Sequence, residues 1–138
     1  METTLFDKDG NAVAYIAEDY NETIYLWEGA PVAYVYEDRH IYGMNGRHLG
    51  WFINDIIFNA LGERIGYTTR TCPISIAKES IKPHKGAMEQ VRPRWAAPPL
   101  ANLSFMVANQ ELADFLKEGQ NIRIEEKPES EESDAPQD

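Results

Sequence analysis

The chain has 138 residues, an apolar fraction of 43% and a formal net charge of −10, which suits one globular domain. The acidic balance argues against non-specific binding to nucleic acid or to an anionic membrane, and no apolar run is long enough to span a bilayer. The polar start Met1-Glu2-Thr3-Thr4 is unlike a signal peptide and Cys72 is the single cysteine, so no intrachain disulfide is possible and a cytoplasmic protein is the expectation.

The first half repeats one short pattern four times. The cells are Leu5-Phe6 to Tyr15-Ile16, Ile24-Tyr25 to Tyr34-Val35, Ile41-Tyr42 to Trp51-Phe52 and Ile57-Phe58 to Tyr67-Thr68. Their shared core is Gly–x–x–aliphatic–small–aromatic, keyed by Gly10, Gly29, Gly46 and Gly62. Such a period decides architecture. Each cell reads as a β-hairpin, with short aromatic and β-branched strands around a Gly-containing turn. The keying glycine suits a type I turn with a following bulge, where φ is positive.

The strands are apolar on both faces, so neighbours must cover both. A lone hairpin is marginal in water, so the four are expected to pack together. Ala14, Ala33, Gly50 and Gly66 recur at strand centres. Small residues there mark close approach of other groups. Four such approaches at one register predict a closed ring around a crowded axis.

Residues 72–100 contain Pro73, Pro83, Pro93, Pro98 and Pro99 and are predicted to be extended. Within them, residues 72–94 hold five bases against two acids. That basic stretch is expected to pair with the protein's own acidic surface or to stay solvated. Ala101–Ala108 is an apolar stretch, a strand or a helix start. Asn109 is positioned to cap a helix over Glu111–Glu118, stopped by Gly119. Its stripe of Leu112, Phe115 and Leu116 must dock somewhere. Ile122-Arg123-Ile124 is a candidate short strand. Residues 125–138 hold seven acids and one lysine, with no aromatics, and are expected to be disordered. The predicted organisation is a four-hairpin ring over 4–71, an extended segment and helix over 72–124, and an acidic tail over 125–138.

The four cells and their G-x-x-[VLI]-[AG]-[YW] core resemble the four-fold beta flower family. Ile81-Lys82-Pro83-His84-Lys85-Gly86 and Gln90-Val91-Arg92-Pro93 resemble, in shortened form, the Lys-Pro and Arg-Pro rich stretch that follows the ring in that family. The resemblance covers residues 4–95 and implies a mainly β fold: a pseudo-four-fold closed ring of four short hairpins. It implies no catalytic residues. Residues 96–138 show no counterpart.

Candidate chemistry is sparse. His40, His48 and His84 form no H-x-x-x-H pair, and there is no C-x-x-C, P-loop or G-x-S-x-G motif. No catalytic residue, cofactor or metal ion is therefore predicted. Glu18-Asp19, Glu37-Asp38 and Asn54-Asp55 recur between hairpins, and a carboxylate ring can bind Ca²⁺; solubilising loops are the simpler reading. Tyr15, Tyr34, Trp51 and Tyr67 are candidate ligand-binding aromatics for a small cation or planar molecule, against a purely structural layer. The tips of cells two to four carry Leu26, Trp27, Met44 and Leu61. Exposed together they would form a sticky rim, so they are candidate partner-binding residues, covered by the chain's own helix or by a second copy.

The function expected is a non-enzymatic binding domain with an unidentified protein or small-molecule partner. The alternatives are a self-assembling structural subunit joined through its tips, and a hydrolase using His40, His48 and nearby carboxylates.

Overall fold

The computed structural model describes residues 2–76, 79, 81–87 and 90–121. Eight strands run in chain order: β1 (Thr3–Phe6), β2 (Ala12–Ile16), β3 (Thr23–Leu26), β4 (Pro31–Tyr36), β5 (His40–Gly43), β6 (His48–Ile53), β7 (Ile56–Phe58) and β8 (Arg64–Tyr67). All pair antiparallel, and β8 returns to β1 to close a barrel. Each repeat is one hairpin. Its keying glycine has φ between +81° and +111°, and the register slips by one bulge beside each tip.

The two faces of the wall sort the repeat. Within each hairpin a large aliphatic residue stands opposite the small one: Leu5–Ala14, Ile24–Ala33, Ile41–Gly50 and Ile57–Gly66. These face inward and, with Leu26, Val32, Leu49 and Ile65, build the main core. Between hairpins the aromatics pair: Tyr15–Tyr25, Tyr34–Tyr42, Trp51–Phe58 and Phe6–Tyr67. These face outward yet are buried.

Two later segments finish the structure. The helix α1 (Leu112–Lys117) closes the mouth at the hairpin tips. Leu112, Phe115 and Leu116 are all buried in the barrel core. A Cβ on Gly66 would stand 3.0 Å from Leu112 Cδ1, and one on Gly50 would stand 3.2 Å from Phe115 Cζ. The small positions are therefore crowded by this plug as well as by neighbouring strands. Asn45 secures the helix end: its amide side chain donates to the Glu118 carbonyl at 2.8 Å, and its backbone N–H donates to that of Gly119 at 3.0 Å.

The described residues between 72 and 108 lie outside the tips as an extended belt. A side chain on Gly10, Gly29, Gly46 or Gly62 would strike the backbone oxygen of Ser75, His84, Pro93 or Asn102 respectively, positions nine residues apart. The N–H groups of Gly86, Trp95 and Ser104, again nine apart, donate to the carbonyls of Gly29, Gly46 and Gly62 at 2.7–3.0 Å. The belt thus visits hairpins one to four in order, nine residues per hairpin. Its register is set by backbone hydrogen bonds, which explains why its side chains show no obvious pattern.

Three expectations are corrected or completed here. The helix is capped by Glu111 without a side-chain bond, not by Asn109, because the belt runs on past Ala108, whose N–H bonds Arg64 at 2.8 Å. Ala101–Ala108 is neither regular strand nor helix but the last quarter of the belt, touching β8 through a single parallel bridge, Arg64–Val107. Ile122–Ile124 and the acidic tail lie outside the described residues.

Candidate functional site

The outer face between hairpins two and three holds the densest polar and aromatic grouping described. Strands β4, β5 and β6 bring Tyr34, Tyr36, His40, Tyr42, His48 and Trp51 together, and the belt lays Arg94 over them. The Arg94 guanidinium lies 3.8 Å from the Tyr36 ring centroid, and its Nη1 donates to the Tyr34 hydroxyl at 3.3 Å. That bond raises the arginine's pKa. Tyr42 donates to the Trp95 carbonyl at 2.8 Å; burial holds its phenol above the ordinary value, partly offset by Arg94.

His40 Nδ1 and His48 Nε2 are 3.0 Å apart. The His48 ring meets those of Tyr42 and Trp51 edge-on at 5.0 Å each. Burial first, and the neighbouring His40 second, lower its pKa to about 4. The carboxylates expected near these histidines are engaged elsewhere: Asp38 faces Glu22, and Asp55 pairs with Arg70 at 3.4 Å. Glu22 is pushed up by its burial and then by Asp38.

The predicted ligand-binding aromatics are placed as follows. Tyr15, Tyr34, Trp51 and Tyr67 do not converge on the axis. Each belongs to its own cross-strand pair, 1–5% exposed. Burial raises the phenols of Tyr15 and Tyr67 above their ordinary values. Cations do meet several of the outer rings, and the chain supplies them. Lys82 Nζ lies 4.1 Å from the Tyr15 centroid, Lys85 Nζ 5.6 Å from Tyr25, and the Arg64 guanidinium 5.9 Å from Phe58. The basic stretch thus finds aromatic faces as much as acids, Lys82 also pairing with Glu2.

The predicted rim residues separate. Leu26 is buried in the main core beside the helix. Met44 is fully buried against Tyr34, Tyr42 and the belt's Val91. Trp27 packs edge-on to Tyr15 at 5.9 Å, beneath Lys82. Leu61 alone remains 74% exposed. Beside it the belt places Phe105 and Met106, which the sequence argument missed. The Ser104 N–H bonds the Gly62 carbonyl at 3.0 Å, the Arg64 N–H bonds the Met106 carbonyl at 2.8 Å, and the Arg64 guanidinium lies 4.4 Å from the Phe105 centroid. Among the described residues no group of three or more His, Cys, Asp or Glu is placed to hold a metal ion, and no helix is long and apolar enough to cross a membrane. Cys72 is half-buried, its Sγ 3.8 Å from the Asp7 carbonyl oxygen.

A closed ring of four hairpins, cinched by its own belt and plugged by its own helix, defines a repeat-built β scaffold. The 4-fold beta flower protein family matches residues 3–116, and the chain belongs to that family. The match reaches beyond residue 95, where the sequence resemblance stopped. It takes in the last quarter of the belt and nearly all of the plug, the parts without which the fourth tip and the mouth are bare. No curated protein and no solved structure matches the chain.

Proposed function

We propose that the chain is a non-enzymatic interaction domain that meets another protein through the fourth sector of its rim. The observation that carries this is the apolar patch of Leu61, Phe105, Met106 and Val107, exposed by 74%, 85%, 65% and 45%. The chain covers the equivalent apolar tips of hairpins two and three largely by itself; here its self-cover stops. Exposed apolar side chains brought to one tip in this way are the kind of surface that marks interaction sites. A net charge of −10 opposes association between identical copies, which favours a different protein as the partner.

A photo-crosslinking side chain installed at Phe105 in cells tests this, with the same group at Tyr20, at the opposite end of the hairpins, as control. Discrete adducts from position 105 and none from position 20 are expected, abolished by L61E. Adducts of twice the chain's own mass indicate self-assembly and overturn the proposal, as does the absence of adducts at 105.

A further inference from the structure

The third quarter of the belt crosses the tip of hairpin three and leaves a groove of about 560 Å³ there. Arg92, Arg94 and Trp95 form one wall, and Asn45, Gln120 and Asn121 the other. Arg47 stands over the Trp95 ring at 6.0 Å. The walls are pinned by backbone bonds: Arg92 N–H to the Met44 carbonyl and Trp95 N–H to that of Gly46, both at 2.8 Å. The Asn121 side chain donates to the Gln90 carbonyl at 3.0 Å. Trp95 is 61% exposed, and Arg47, Arg92 and Arg94 are exposed with it.

Charge makes this groove unusual. Among the described residues the ion pairs join Lys8 to Asp9 and Glu111, Arg70 to Asp55, and Lys82 to Glu2. None uses Arg47, Arg92 or Arg94. A chain with ten more negative than positive charges therefore lines this groove with Arg92 and Arg94, stands Arg47 over its Trp95, and puts no described carboxylate in its walls. Arg94, held on Tyr34 and Tyr36, also borders Glu22, Glu37 and Asp38 on its other side. Guanidinium forks take carboxylates in bidentate pairs and stack on aromatic rings.

We infer that this groove is the docking site of the chain's own acidic segment, residues 125–138. That segment holds Glu125, Glu126, Glu129, Glu131, Glu132, Asp134 and Asp138 against Lys127 alone. It begins four residues beyond Asn121, itself a wall of the groove, and four residues reach at most about 14 Å. So short a tether gives the segment a high effective concentration at the arginines. Each exposed pair is weak, so the docking is multivalent, salt-sensitive and displaceable. The segment then serves as an internal competitor: an acidic stretch of another protein reaches the arginines only by displacing it. This is independent of the apolar patch on hairpin four.

The test uses the full chain, ¹⁵N-labelled, with C72S and a nitroxide label on S133C. At low ionic strength the Trp95 indole N–H and the Nε–H groups of Arg47, Arg92 and Arg94 are expected to lose about half their signal or more, while the amides of Leu61 and Lys8 keep theirs. High salt, R92Q/R94Q and E129Q/E131Q/E132Q each restore the signals. The last variant leaves every described residue unchanged, so lost folding cannot imitate the result. Uniform loss over the surface, or none at the arginines, overturns the inference. Equal loss when label and isotope are on different molecules also overturns it, because the segment then comes from a second copy.

Discussion

At the scale of single residues, the repeat's small positions are set by what stands against them. A methyl group on Gly50 would meet the Phe58 carbonyl oxygen, which belongs to the barrel's own backbone, and the ring of Phe115. One on Gly66 would meet the ends of Ile57 and Leu112, at 2.9 and 3.0 Å, which can turn aside, and the Ile57 Cβ at 3.2 Å, but no backbone oxygen. Overpacking a core costs about 1–3 kcal/mol. G50A is therefore expected near the top of that range and G66A near the bottom, as separate urea midpoints. The sequence marked both glycines as places of close approach, but it could not rank them, because the difference lies in which atoms are near.

His48 carries a second prediction at this scale. Its folded pKa, about 4, is below the ordinary value of about 6.5. The unfolded chain therefore binds the proton first as pH falls. The stability that goes with neutral His48 is complete above about pH 6.5 and is lost progressively down to pH 4. The group is substantially solvated, so the loss is on the order of 1–2 kcal/mol after screening. H48N is expected to remove that part of the slope. Urea midpoints of both proteins between pH 7 and 4.5 check it: parallel curves would show that His48 does not carry the dependence.

At the scale of elements, the hairpins were legible and the later elements only partly so. A hairpin writes itself locally: Asp9-Gly10 and Asn45-Gly46 carry their turns, and the strands follow from aromatic and β-branched residues. The helix was legible as a stripe of Leu112, Phe115 and Leu116, but its destination was not, since a stripe says only that a face needs burial. Its cap was misassigned to Asn109, because a propensity for capping cannot see that the preceding chain is held in the belt. F115A is expected to cost about 3–5 kcal/mol and L61A, on the exposed rim, within about 0.5 kcal/mol, both from denaturant unfolding. An F115A cost near that of L61A would mean that the helix is not the plug of the core.

At the scale of the whole molecule, closure turns four marginal hairpins into one core without free sheet edges. The alternation of large and small residues inside leaves room for the plug, and the aromatic pairs outside join one hairpin to the next. Both sets were visible in the sequence as residues of a shared register. The inward and outward assignment did not follow from strand alternation alone: Val32, Leu49 and Ile65, each next to a small residue, join the same inner core beside the register shifts. The candidate site was not visible in the same way. Tyr15, Tyr34, Trp51 and Tyr67 could be listed as equivalent, but only the fold shows each with its own partner instead of sharing one pocket. Arg94, Trp95, Phe105 and Met106 acquire their roles from where the belt lays them, in stretches whose composition looks merely irregular.

By itself, then, the sequence determined the repeat, its hairpins, their turns and the closed ring, because these rest on contacts between residues close in the chain and on a period that four copies make unambiguous. Only the tertiary structure decided which rim residues are covered, which aromatics pair and where the arginines gather. Those outcomes depend on the belt, whose register comes from backbone hydrogen bonds and leaves no side-chain pattern to read, and on where the plug docks, which its apolar stripe does not name.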